Sequence, residues 1–292
     1  MAEIFKDPDN KPNWPRIGVV LAAVIAGAWT AVTYLADHKG AHDKSITIVY
    51  VFDQRAATAL TAQLISESQT PAGPGKREAV GEAVQSITQG AAEGDPRLQQ
   101  AFRLLKENKF EDAIQLLKAF ASGKEARAEA ATAQPHKDPK EAAAAYRNLG
   151  AIAGLRDPKR ALEAYAKAIE LDPNDRESLY WHGWLSLLAG QLSVGEQNLG
   201  RLLKLASEVG DQRGIYRANL RLGELAKERG NLAVCLEYEE EAEKIAVEQV
   251  DANAGNLEWQ RELSVAYEKI GDVQVAQGDL AGALKSFQDS LA

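Results

Sequence analysis

The chain has 292 residues, with 34 Lys and Arg against 42 Asp and Glu, a formal net charge of −8 at pH 7. That balance argues against a nucleic-acid partner, which needs clustered cationic side chains on the phosphates. The one cysteine, Cys235, excludes a disulfide framework and a cysteine-based zinc site.

After a short polar tail at 1–16 comes the run 17–36, IGVVLAAVIAGAWTAVTYLA, without a charge. At about 1.5 Å per residue, a helix of that length spans about 30 Å, the hydrocarbon core of a bilayer. The run predicts a transmembrane anchor, with Trp14, Trp29 and Tyr34 near the two headgroup levels. A cleaved signal peptide is the rival reading. The leader is not net basic, however, and the apolar run continues past the small residues Ala26-Gly27-Ala28. Lys6, Lys11 and Arg16 before the run balance Lys39, Lys44 and Arg55 after it. Arg16 abuts the membrane, so the expected arrangement is a single-pass protein with the rest of the chain on the extracytoplasmic side.

Residues 37–94 read as a juxtamembrane linker with helices. SITIVYVF (45–52) is strand-like, but a lone edge strand is unstable, so an extended linker is expected. Residues 54–67 look helical, and TPAGPGK (70–76) is a loop. Gly75-Lys76 lacks the earlier glycine of a phosphate loop, and Arg77 stands where a Ser or Thr would hold magnesium. His38 and His42 are four apart, but Gly40 lies between them, which suggests a polar collar rather than a metal pair. The acidic run Glu237, Glu239, Glu240, Glu241 and Glu243 reads as a solvated helix face. No residues form a catalytic, metal or cofactor constellation, so a non-enzyme without cofactor is expected.

From about residue 95 the chain becomes periodic. Leu149-Gly150, His182-Gly183, Leu222-Gly223 and Ile270-Gly271 align, each followed by a turn: Asp157-Pro158, Gly190, Gly230-Asn231, Gly278-Asp279. Small residues follow at Ala161, Gly195, Cys235 and Ala283, then large ones at Tyr165, Leu199, Tyr238 and Phe287. A small residue on each helix lets the two helices of a hairpin approach closely, and the glycine or Asp-Pro admits the turn between them. One hairpin cannot bury its apolar face alone, so the units must stack. The aligned glycines lie 33, 40 and 48 residues apart, which implies longer helices or loops near 205–215 and 246–262.

These residues resemble the tetratricopeptide repeat (TPR) family over 95–292, about five helix pairs. The best units are YRNLGAIAGLRDPKRALEAYAKAIELDPND (146–175) and AYEKIGDVQVAQGDLAGALKSFQDSLA (266–292). A degenerate first hairpin at 101–121 carries Ala101, Ala113 and Leu117 in the matching places. The wording also resembles bacterial repeat arrays. The resemblance implies an α-hairpin solenoid whose first helices line a concave wall; with the anchor read from 17–36, the expected fold is all-α, an N-terminal transmembrane helix followed by that solenoid. Carried onto this chain, the inward positions are Arg147, Asn148, Tyr180, Trp181, Trp184, Arg217, Arg221, Glu224, Lys227, Glu268, Lys269 and Asp272. Trp181 and Trp184 also fit as packing between hairpins. Arg217 and Arg221 match a basic pair with which some family members hold a C-terminal carboxylate, but Ala151 and Trp181 stand where two asparagines belong. The implied function is a non-catalytic, membrane-anchored scaffold binding a peptide or protein partner. The alternatives are a cell-envelope assembly or secretion accessory factor, a fragment of a larger TPR signalling protein, and an enzyme.

Overall fold

Val, Ile, Thr and two aromatics crowd the run 17–36, and residues of that kind favour a pleated strand over a helix. In the computed structural model the run holds two antiparallel strands, β1 (Val19–Ile25) and β2 (Ala28–Tyr34). A third strand, β3 (Ile46–Tyr50), pairs with β2 so that Tyr34 faces Ile46 and Thr30 faces Tyr50. This overturns the transmembrane helix, and with it the single-pass membrane localisation. Among the described residues no helix is long and apolar enough to cross a membrane. The pairing runs from Val19 with Tyr34 to Ile25 with Ala28. The supposed linker strand at 46–50 therefore has a partner, the run read as an anchor.

The structure describes residues 19–25, 28–34, 46–50, 54–70, 75–130 and 139–291. The 1–16 tail, His38, His42 and His136 lie outside them. Two compact units divide the chain, Met1–Leu117 and Lys118–Ala292.

In the first unit, α1 (Gln54–Ser66), α2 (Lys76–Ala92) and α3 (Pro96–Lys106) pack in sequence, and the start of α4 (Phe110–Ala130) follows. Leu60 and Leu64, Val80, Val84 and Ile87, and Leu98, Phe102 and Leu105 are buried on successive helices. Lys76 closes the loop before α2: its ammonium donates to the Ser68 hydroxyl at 2.7 Å and to the Thr70 carbonyl at 2.9 Å. Ala101, Ala113 and Leu117 are buried in the α3–α4 hairpin, whose turn holds Asn108 at φ 59°.

The second unit is a run of four helix pairs. They are α5 (Pro139–Ala153) with α6 (Pro158–Leu171), α7 (Arg176–Leu188) with α8 (Leu192–Val209), α9 (Gln212–Glu228) with α10 (Leu232–Ala252), and α11 (Leu257–Gln277) with α12 (Leu280–Asp289). Second helices also contact the next first helix, as α6 does α7, α8 does α9 and α10 does α11. Gly190, Gly230 and Gly278 sit in three of the turns at φ 75°, 75° and 85°, a conformation other residues adopt only at a cost. The extra residues between the later glycines lengthen helices: α6 has 14 residues, α8 has 18, and α10 and α11 have 21 each.

The close contacts follow the glycine register. A Cβ on Gly150 would lie 2.9 Å from the Tyr165 ring, one on Gly183 2.8 Å from Leu199, and one on Gly271 2.6 Å from the Phe287 ring. The third hairpin departs from the expected pattern. There a Cβ on Gly223 would lie 2.8 Å from the Glu239 carboxyl, and Tyr238 is only partly buried. Glu239, read as part of a solvated face, is 1% exposed.

Side-chain caps open these helices. Asp157, Asp175, Asp211, Asn231, Asn256 and Asp279 each accept from a backbone N–H two or three residues on. Asp279→Ala is expected to cost about 1 kcal/mol, the ordinary value of a cap. Asp175→Ala is expected to cost more, because Asp175 is buried and also accepts from Arg147 at 2.6 Å. Urea unfolding of the two variants side by side checks the order.

Candidate functional site

The first helices α5, α7, α9 and α11 carry nearly all the charged and aromatic residues singled out above, and α7 touches α9 directly. On α7, Tyr180, Trp181 and Trp184 stand at positions i, i+1 and i+4, so one face presents all three rings. Tyr180 and Trp181 meet edge to face at 5.1 Å, Trp181 and Trp184 lie 5.3 Å apart, and Tyr165 of α6 stacks on Trp181 at 6.5 Å. All four side chains are buried.

Two guanidinium groups of α9 lie on these rings. Arg217 sits 3.6 Å above the Tyr180 centroid and Arg221 4.8 Å above that of Trp184. A cation over an aromatic face is worth about 2 kcal/mol when desolvated. Arg217 also holds Glu177 with two hydrogen bonds, Nη1 to Oε2 at 2.9 Å and Nη2 to Oε1 at 3.1 Å. The Trp181 indole donates to the same carboxylate at 2.6 Å. Arg221 donates to both oxygens of Glu224, at 2.9 and 2.7 Å, and Lys269 of α11 reaches Glu224 at 2.6 Å.

The pairs form a ladder across the hairpins. Arg147 of α5 joins Asp175 before α7, Glu177 of α7 joins Arg217 of α9, and Glu224 of α9 joins Lys269 of α11. Arg176–Asp211 and Arg213–Glu258 add rungs at the helix starts. Burial opposes ionisation of Glu177, but the Arg217 charge and the hydrogen bonds from Arg217 and Trp181 outweigh it and lower its pKa. Glu224 behaves alike, with Arg221 and Lys269 overcoming its burial. Burial likewise works against the charge on Arg217 and Arg221, and their anionic and phenolic neighbours raise their pKa regardless.

The structure thus brings seven of the nine expected residues into one network: Tyr180, Trp181, Trp184, Arg217, Arg221, Glu224 and Lys269. Arg147 pairs with Asp175 at the start of α7, and Asn148 lies beside Arg147, partly buried on α5. Depth separates them into two groups. The rings and the two α9 arginines are inside, whereas the side chains of Arg147, Glu224 and Lys269 are 33%, 30% and 32% exposed. Arg217 and Arg221 are occupied by Glu177 and Glu224, and Ala151 and Trp181 are buried where a carboxylate clamp would place asparagines. Sequence reasoning missed Glu177 and Asp175. The signal for Glu177 was its position four residues before Trp181, in the first turn of a helix whose neighbour carries Arg217.

No family model matches the chain, and no curated protein does. Among solved structures it is similar to BtubC (BKLC) from P. vanneervenii, at 14% identity, covering 81% of this chain and 89% of that one with a TM-score of 0.56. It is also similar to MamA from Desulfovibrio magneticus RS-1, at 22% identity, covering 67% of this chain and 91% of that one, TM-score 0.43. Yeast Tom70 matches at 17% identity over 66% of this chain and 47% of that one, TM-score 0.27. The fold is a TPR-like helical solenoid.

Proposed function

We propose that the helical array is a non-catalytic scaffold that binds a peptide or protein segment along its first-helix face. The observation that carries this reading is the division of one network into two layers. The interlocked aromatics and arginines Tyr180, Trp181, Trp184, Arg217 and Arg221 form a rigid backing. Arg147, Asn148, Glu224 and Lys269 form a mixed-charge rim over it, on the first helices α5, α9 and α11. Rigid groups cost little entropy on binding, and a rim of both signs selects a partner by charge pattern more than by net charge. The fold supports an interaction role without dictating it, because function resides in the site.

A photo-crosslinking residue at Asn148 is expected to capture a partner that one at Lys204, on the exposed side of α8, does not. Exchanging the rim cations for neutral groups, Arg147→Gln with Lys269→Gln, is expected to weaken that capture, with urea unfolding measured alongside to separate lost binding from lost stability. Equal capture from Asn148 and Lys204, or capture indifferent to the exchange, contradicts the reading.

A further inference from the structure

Three of the four hairpins fill the slot against the first-helix glycine with carbon: Tyr165 on Gly150, Leu199 on Gly183, Phe287 on Gly271. The third fills it with an acid. Cys235 stands where Ala161, Gly195 and Ala283 stand, and four residues on, at the position of the large side chain, comes Glu239. Its Oε1 lies at the face of Gly223, its Oε2 is buried without a hydrogen-bond partner, and the residue is 1% exposed. A neutral carboxylic acid fits such a slot at modest cost. An ionised one does not, because removing a bare carboxylate from water costs several kcal/mol unless it is paired.

Charged and titratable groups face Glu239 from each helix packed on it. Arg221, Glu224, Lys227 and the Tyr216 hydroxyl belong to α9, Lys269 to α11, and Cys235 lies one turn earlier on α10. Lys269 exerts the strongest cationic influence on Glu239, yet it is bound to Glu224 at 2.6 Å. An ionised Glu239 therefore competes with Glu224 for the same ammonium.

We propose that Glu239 is a proton-operated latch between α9, α10 and α11. In its neutral form it closes α10 on Gly223 and leaves the Glu224–Lys269 rung intact. On ionisation the carboxylate leaves the slot towards Lys269 and parts that rung. Burial, the largest influence, pushes the Glu239 carboxyl up to about 8 against the pull of Lys269. Because the folded chain holds this proton more tightly than the unfolded chain, the contribution to stability is full below the ordinary carboxyl range. It is lost as the pH rises to about 8, by up to tenfold in the folding equilibrium per pH unit.

The test is side-chain carbon NMR of the full chain labelled at glutamate, with the Trp259 indole as a second probe. Trp259 of α11 meets Tyr216 of α9 edge to face at 5.5 Å, so its resonance reports the seating of α11 on α9. One carboxyl signal, absent from Glu239→Gln, is expected to titrate with a midpoint near 8. The Trp259 signal is expected to move with the same midpoint in the parent chain and to stay fixed in Glu239→Gln. Glu239→Leu, which copies Leu199, serves as the second variant and is also expected to abolish the shift. A Glu239 midpoint in the ordinary carboxyl range overturns the proposal. So does a Trp259 signal that ignores the titration.

Discussion

Gly150→Leu is expected to destabilise the second unit by about 3 kcal/mol or more, at the upper end of overpacking costs. The first added carbon alone would lie 2.9 Å from the Tyr165 ring, and that ring is buried and stacked on Trp181. Neither ring has room to give, so α5 and α6 must separate. The same exchange of size between the two helices provides a check. Adding Tyr165→Ala to Gly150→Leu moves the bulk to the other side of one contact and is expected to recover part of the loss. Gly200→Ala is the control of opposite sign. Gly200 is exposed within α8, nothing lies within 4 Å of an added Cβ, and the change is expected to stabilise by about 0.5–1 kcal/mol. Urea unfolding of the three variants and the parent reads the set. Unaltered unfolding of Gly150→Leu means that α5 and α6 do not meet at this glycine.

The hairpin register was legible because it is written in volumes. A close helix contact needs a small residue facing a large one, and Gly150, Gly183 and Gly271 recur with Tyr165, Leu199 and Phe287 at matching offsets. The third hairpin was misread by one residue. Tyr238 drew the large slot by its aromatic ring, although Cys235 plus four is Glu239. An acid among neighbouring acids reads as solvated, and only packing against Gly223 shows that this one is not.

The error at the N-terminus has a different origin. Length and absence of charge identify a run that avoids water, without distinguishing one helix from two strands. The β-branched content of 17–36, the Ala-Gly at its midpoint, and the strand-like 45–52 with no partner pointed together to a three-stranded sheet. For the first-helix face, the resemblance to the repeat family pointed to helix positions but not to their depth. Helical spacing places Trp181 and Arg217 on one side of their helices. How far the next hairpin closes over them depends on Glu177, which neutralises Arg217 and allows it to be buried.

That neutralisation carries the other large expected effect. Arg217→Met, which keeps most of the side-chain volume over Tyr180, is expected to cost about 3–5 kcal/mol, the range for removing one member of a buried ion pair. The Arg217 side chain is only 8% exposed and Glu177 29%, so the carboxylate left behind keeps the Trp181 hydrogen bond and little else. Glu177→Leu added to Arg217→Met removes the orphaned charge, and the double variant is expected to be more stable than Arg217→Met alone. The pH dependence separates this pair from Glu239. Glu177 has a lowered pKa in the fold, so its contribution is present above the ordinary carboxyl range and is lost as the pH falls, opposite in sign to Glu239. Arg217→Met should therefore flatten the acid side of the stability profile and leave the alkaline side in place, where Glu239→Gln acts. Unfolding midpoints across the pH range, measured on the two variants and the parent, decide it. A loss within about 0.5 kcal/mol for Arg217→Met, the scale of an ordinary surface substitution, means that water reaches the pair and that the rings and guanidinium groups do not form a closed layer.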